Sequence, residues 1–365
     1  MSGGAICVKR NLDLLRKLYG EENVFLFTIN EFDVPITSHT RRYPRESRNT
    51  RVYMQCLLGR DGYTRETEKS VLEDIVGINP DIVFCGNSRL GGILAQLPPR
   101  MRVVLFMENV EKEYMWDRVR HTSPICLIRY FEVYYNERLA LKRADLVMCL
   151  NERDARNMKK NYGRDADLLV PINFPDSFQA DRMQRQGTRN GQLLFVGSSF
   201  LPNIHGISWF IENVLPNVDA ELVVVGKNLE KHKDKFINPK VDVIGTVDET
   251  SSYYYAADAM VMPIFMGSGM KVKTAEALMY GKVLFATDEA LEGYQDAPDV
   301  WRCNTAAEFV TAINRYMKDE NRMRFSEANR RYFLENLETG QIEERFFAAM
   351  EGLMPKNTEE SGVRS

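Results

Sequence analysis

Between Gly267 and Gly281 the chain reads GSGMKVKTAEALMYG, between an apolar run AMVMP and a second apolar run VLFAT. Gly267 and Gly269 permit a tight turn and a close backbone approach. A helix that follows offers unpaired N–H groups and a positive dipole end, which suit a diphosphate. Lys271 stands at that end and adds a full positive charge. Glu276 lies five residues on, about 7.5 Å along a helix rising ~1.5 Å per residue. That is about the distance from a diphosphate to the ribose of the same nucleotide, where a carboxylate accepts two hydroxyl hydrogen bonds. Lys273 and Glu276 share a helix face and can pair, and Gly281 ends the helix. The same residues also fit an ordinary amphipathic helix with a glycine entry and a solvated Lys–Glu pair, and spacing alone leaves both readings open.

The elements that must position this segment are read from hydrophobic periodicity. Strands are expected at Asn23–Thr28, Asp81–Cys85, Arg102–Phe106 and Asp145–Leu150. Helices are expected at Ile6–Tyr19, Thr67–Val76, Leu90–Gln96, Cys126–Arg143 and Glu152–Tyr162. The polar stretch Gln179–Gln192 then interrupts the pattern. A second series follows, with strands Leu193–Val196, Glu221–Val225, Val241–Ile244, Ala259–Met262, Val283–Ala286 and Val300–Arg302. Helices Gly206–Val214, Ser251–Ala256, Val272–Tyr280 and Ala306–Met317 lie between them. Repeated β–α predicts an α/β fold of two Rossmann-like domains with parallel sheets and a ligand cleft between them. The expected division is 1–178, a linker over 179–192, a second domain over 193–335, a C-terminal helix over 336–355 packing back on the first domain, and a flexible tail over 356–365. No strand is expected before the first helix, which follows Ser2-Gly3-Gly4 directly. A Rossmann half normally begins with a central strand there, so a start upstream or a truncation is expected.

Composition narrows the class. The 365 residues carry a net charge of −3, with 44% hydrophobic and 27% charged residues, the balance of a globular protein with no global pull toward nucleic acid. Six scattered cysteines without a CxxC pair read as buried free thiols in a reducing compartment. The absence of a long apolar run or signal-peptide core places the chain in the cytoplasm. The four histidines have no metal-ligand spacing, and no metal or other cofactor is expected. His39–Arg51 carries Arg41, Arg42, Arg45, Arg48 and Arg51 around Tyr43 and one proline, and reads as a loop. It is a solvated segment or a peripheral contact with an anionic membrane face, where each basic residue is worth about 1 kcal/mol. Tyr130, Phe131, Tyr134 and Tyr135 sit at near-helical spacing and are expected in the core.

The segment around Glu276, together with Thr287 and Glu292-Gly293, resembles the donor-binding region of family-4 retaining glycosyltransferases of the GT-B fold. It is most similar to bacterial polysaccharide-assembly members with a GxGxRxKxxEAxxxGxPxxxT…EG pattern. The resemblance covers most of the chain. Phe195-Val196-Gly197, Pro202-Asn203, Trp209-Phe210 and Val214-Leu215-Pro216 match the start of that family's second domain. Asn109-Val110-Glu111, Ala144-Asp145 and Leu150-Asn151-Glu152-Arg153-Asp154 match its first. It implies a nucleotide-sugar donor, a glycan or lipid-linked hydroxyl acceptor, and no metal. It places Gly197, Ser198, Asn203, Gly269, Met270, Lys271, Lys273 and Glu276 at the donor, and Gly3, Gly4 and Asn109 on the acceptor side.

Three departures matter. Ser268 stands where many members carry a second Glu toward the sugar. The loop SSFLPNIHG after the second domain's first strand holds no cation for the diphosphate, which shifts that charge work to Lys271. Glu108 stands where related chains often have His. It is either a base toward an acceptor hydroxyl, needing burial to raise its ordinary pKa of about 4.3, or a cap or partner near Lys112. The resemblance therefore implies hexosyl transfer, with Glu108 and Lys271 as catalytic residues. The competing reading is a non-catalytic homologue that binds nucleotide sugar as a scaffold.

Overall fold

The computed structural model describes residues 3–29, 37–121, 125–186, 191–267 and 269–354. Two compact units divide the chain. The first holds Gly4–Val170 together with the chain from Glu343 on, and the second runs over Pro171–Ile342. The polar stretch 179–192 falls within the second unit.

The first unit runs α1 (Gly3–Tyr19), β1 (Leu26–Thr28), β2 (Thr40–Arg42), α2 (Asn49–Leu57), α3 (Arg65–Ile78), β3 (Ile82–Cys85) and α4 (Gly91–Leu94). It continues with β4 (Arg102–Met107), α5 (Glu111–His121), α6 (Cys126–Arg143), β5 (Leu146–Cys149), α7 (Glu152–Tyr162) and β6 (Leu168–Leu169). β3-β4-β5-β6 form a parallel sheet, and β1 pairs only with β2 in a separate parallel ribbon. Among the described residues no strand precedes α1. β4 is buried almost throughout, as the centre of a parallel sheet requires. Val103, Leu105 and Met107 face a core shared with Val71 and Ile75 of α3 and Ala140 and Leu141 of α6. On the other face, Phe106 stacks near Phe84, whose ring lies 6.1 Å from Phe346 of the C-terminal helix. Local signals close the helices: Thr64 caps α3 and Asn151 caps α7, while Gly163 at φ 70° ends α7.

The second unit runs α8 (Ala180–Gln186), β7 (Gln192–Val196), α9 (Leu201–Asn213), β8 (Glu221–Val225), β9 (Val241–Gly245), α10 (Ser251–Ala256) and β10 (Ala259–Met262). Then come α11 (Val272–Met279), β11 (Leu284–Ala286), β12 (Val300–Arg302), α12 (Ala306–Lys318), α13 (Glu327–Asn336) and α14 (Thr339–Glu351), the last of which passes into the first unit. Its six parallel strands lie in the order β12-β11-β10-β7-β8-β9. That is the doubly wound order of a Rossmann-like sheet.

The structure corrects several expectations. Residues 39–51 are not simply a loop, because Thr40–Arg42 pairs with β1 and α2 begins at Asn49. α9 starts at Leu201 rather than Gly206, with Pro202 in its first turn where a missing N–H costs nothing. Phe131 and Tyr135 are 59% and 55% exposed rather than in the core. α14 ends at Glu351, and Pro355 and the tail lie outside the described residues. All six cysteines are buried free thiols, as expected. No described helix is long and apolar enough to cross a membrane.

Two helical glycines separate propensity from packing. A Cβ on Gly77 of α3 would meet nothing within 4 Å, whereas one on Gly206 of α9 would lie 1.9 Å from the Pro263 carbonyl oxygen. Gly77→Ala should raise stability by about 0.5–1 kcal/mol through the unfolded chain. Gly206→Ala should lower it by roughly 1–3 kcal/mol despite the same gain in helix propensity. Urea unfolding monitored by circular dichroism reads both signs.

Candidate functional site

In the second unit the chain leaves β7 through α9 toward β8, and leaves β10 through α11 toward β11 on the opposite side. β7 and β10 are hydrogen-bonded neighbours, so their carboxyl-end loops part at the point where the winding reverses. Open α/β sheets bind ligands in such crevices. The loop after β7 supplies Gly197, Ser198 and, in the first turn of α9, Asn203. The loop after β10 supplies Gly267, Gly269, Met270 and Lys271, and α11 supplies Lys273 and Glu276. Gly267 and Gly269 have φ of 138° and 63°, which side chains rarely adopt, so these glycines are required by the turn. Ser268 lies outside the described residues.

The polar groups are held in place. Lys273 donates to Asn203 Oδ1 and lies 5.2 Å from the centre of the Phe195 ring. Asn203 Nδ2 donates in turn to the Ser198 carbonyl at 3.0 Å. The Tyr254 hydroxyl donates to Glu276 Oε2 at 2.9 Å, and the Tyr254 ring stacks on Tyr280 at 4.6 Å. Thus Lys273 and Glu276 have partners other than each other. Lys271 Nζ meets Glu289 Oε1 at 2.6 Å and donates to the Gly269 carbonyl at 2.8 Å. The Tyr294 hydroxyl donates to the Lys271 carbonyl at 3.0 Å, and Thr274 Oγ1 donates to the Ala290 carbonyl at 2.8 Å. These two bonds fix the start of α11, which no side chain caps. An uncapped helix start of this kind offers N–H donors to an anion.

Burial sets the titration of this cluster. It pushes the Lys273 ammonium down to about 7, with the Lys271 charge acting in the same direction. It pushes the Glu276 carboxyl up, opposed by the Tyr254 hydroxyl. An arriving anion thus meets one ammonium already paired and a second that is close to losing its proton.

Sequence reasoning missed Glu289, Tyr254, Tyr294 and Phe195. The signal for Glu289 was available, since successive parallel β–α–β units place the loop after β11 beside the loop after β10. The two tyrosines are brought in by packing and carry no motif.

In the first unit, Glu108 and Asn109 follow β4 directly and lead into α5. The start of α5 is held by a buried carboxylate from α6. Glu137 accepts the Glu111 and Lys112 N–H groups at 2.9 and 3.1 Å, the Ser88 hydroxyl at 3.1 Å and the Tyr162 hydroxyl at 2.5 Å. Burial pushes Glu108 up to about 7, the Glu111 charge adds to the rise, and Arg10 opposes it. Lys112 instead donates to Asn161 Oδ1 at 2.8 Å. Gly3 and Gly4 form the first turn of α1. Arg41, Arg42 and Arg48 are exposed, while Arg45 pairs with buried Asp61 at 2.7 Å.

Comparisons with known proteins bear on the fold and the family. Residues 190–319 match the family model described as glycosyl transferases group 1, a span that contains β7, α9 and α11 with every donor-side residue named above. No curated protein sequence matches the chain. Solved structures share the fold across nearly the whole length. The sucrose-phosphate synthase from Thermosynechococcus elongatus superposes with a TM-score of 0.72 at 14% identity, covering 95% of this chain and 92% of that one. WaaG, a glycosyltransferase involved in lipopolysaccharide biosynthesis, gives 0.69 at 16% identity, covering 94% and 95%. Anabaena HepE in complex with UDP and glucose gives 0.67 at 12% identity, covering 96% of each chain. The fold is GT-B, and residues 190–319 are similar to the group 1 glycosyltransferases.

Proposed function

We propose that the chain transfers a hexosyl unit, with retention, from a nucleoside-diphosphate sugar to a hydroxyl of a glycan or lipid-linked acceptor. We place this reaction in polysaccharide or glycoconjugate synthesis, at the cytoplasmic face of a membrane, with no metal. One observation carries the reading. At the switch point of the second sheet, Lys271, Lys273, Asn203 and Glu276 surround the uncapped start of α11. The helix start and the two ammonium groups suit a diphosphate, and Glu276, oriented by Tyr254, suits the ribose hydroxyls. The relatives solved with UDP or UDP and glucose are in keeping with such a donor.

In the reaction, the bond from the anomeric carbon to the diphosphate oxygen breaks and a bond to the acceptor oxygen forms. Lys271, Lys273 and the α11 N–H groups stabilise the departing diphosphate. Glu108, whose pKa stands at about 7, takes the acceptor hydroxyl proton.

Three outcomes test these roles. In titrations with UDP and ADP, Glu276→Ala and Lys271→Ala should each weaken nucleotide binding by roughly 10–100-fold, the worth of one or two charge-assisted hydrogen bonds. Unchanged binding in both would sink the donor-site assignment. Because Lys273 titrates near 7 in the free protein, a diphosphate that stabilises its charged form should draw a proton from solution above that pH. Calorimetry at pH 8 in buffers of different ionisation enthalpy reads this uptake, and Lys273→Met should remove it. Glu108→Gln should lower acceptor-dependent turnover by about 10²–10⁴-fold while nucleotide affinity holds. The wild-type rate should rise with pH through about 7, as the carboxylate forms, and the variant should lose that limb.

A further inference from the structure

Helix α6 is turned against its own composition. Its two acidic residues, Glu132 and Glu137, are 3% and 0% exposed, while the aromatic side chains of Phe131 and Tyr135 stand 59% and 55% in solvent. Each inward acid has a structural reason. Glu132 meets Arg89 at 3.2 Å, and Glu137 holds the start of α5. The outward face has no such reason. It carries two large rings and then Arg138 and Lys142, all exposed.

That face continues onto its neighbours. α2 packs against α6, and Asn136 Nδ2 donates to the Gly59 carbonyl at 3.0 Å, pinning the end of α2 beside Tyr135. Met54, Leu57 and Leu58 are exposed there, each by more than three fifths (62%, 68% and 63%). From Phe131 the aromatic surface runs through Tyr130 to Trp116 of α5, with ring centres 5.4 Å apart at both steps. Arg120 lies 5.3 Å from the Trp116 ring centre. Every exposed charged side chain on α2 and α6 is basic: Arg51, Arg138 and Lys142. Arg51 is the least committed to the surface, being 3.8 Å from Glu46.

A contiguous apolar surface of this kind marks an interaction site. The chemistry of its partner follows from the mixture. Aliphatic side chains at the end of a helix enter an acyl layer, Trp and Tyr rings sit at the depth of lipid headgroups, and surrounding cations meet phosphate. We propose that the α2–α6 face of the first unit docks on an anionic lipid bilayer. This gives the peripheral placement stated above its surface, one distinct from the Arg41–Arg48 segment, and it is independent of the chemistry at α11.

Vesicle co-sedimentation of the full chain tests it, with phosphatidylcholine alone and with phosphatidylcholine mixed with phosphatidylglycerol. The wild type should sediment with the mixed vesicles and not with the neutral ones, and added salt should release it. Leu57→Ser with Phe131→Ser should weaken binding by roughly tenfold or more. Arg138→Glu with Lys142→Glu should abolish the preference for the mixed vesicles. Ile237→Ser, at a side chain 83% exposed on the second unit, should change nothing. Both double variants should keep wild-type melting temperature and nucleotide affinity, which separates lost docking from lost fold and from a failed donor site. The charge pair serves if the apolar pair does not fold. The proposal is overturned if the wild type ignores lipid charge, or if the double variants sediment like the wild type. It is equally overturned if the wild type binds no vesicle and instead dimerises through a contact that Phe131→Ser removes, since a second copy would then be the occupant.

Discussion

An ammonium group taken out of water without a partner costs several kcal/mol, and the second unit is built around avoiding that cost at a place meant to stay positive. Lys271 meets Glu289 at 2.6 Å, and Lys273 rests on the Asn203 oxygen and near the Phe195 ring. The two arrangements differ in kind. Lys271 has a carboxylate facing it. Lys273 rests on a neutral oxygen and a ring, and burial, with the Lys271 charge, brings its pKa down to about 7 against the opposing charge of Glu276. A diphosphate entering the crevice would supply to both what the protein supplies in its absence. It would compete with Glu289 for one cation and restore full charge to the other. Binding strength there is a difference between anions rather than the sum of its attractive contacts.

The backbone around this cluster follows the same constraint. The order β12-β11-β10-β7-β8-β9 forces the loops after β7 and β10 apart, and α11 begins at the end of the second of these loops. Side-chain hydrogen bonds from Tyr294 and Thr274 hold that start, while no side chain caps it. A capped helix such as α12, where Thr305 and Glu308 form a reciprocal box, has two of its opening donors already taken. α11 is pinned in position and its start has no side-chain cap, and both properties suit an anion site.

Much of this could be read from residue order. Parallel strands buried on both faces appear as short apolar runs, and the sequence reading of β8 and β10 matches the structure to the residue. The glycines, Lys271, Lys273 and Glu276 fall close enough in sequence that one helix brings them together. Glu289 was not read, because its approach to Lys271 depends on the lateral spacing of β10 and β11. The misreading of α6 has a different origin. Periodicity shows that a helix has two faces, but not which one is inward when each holds residues that could be buried. Glu132 and Glu137 win the interior of α6 only because Arg89 and the first N–H groups of α5 are there to receive them. Those partners lie 43 and 26 residues away in sequence, beyond the reach of any local pattern.

The same inversion shapes the chemistry of the first unit. Glu137 turns inward and holds the N–H groups that open α5, and this fixes the segment from Glu108 to Glu111. Burial makes Glu108 harder to ionise, and the nearby Glu111 charge adds to the rise. Arg10, buried within reach of Glu108, limits the rise. Glu108 thereby stands at about 7, where an exposed glutamate would be a far weaker base. The acids that α6 draws into the core leave its rings and cations outside. One choice of helix face thus both tunes the carboxyl after β4 and exposes the apolar, basic surface shared with α2.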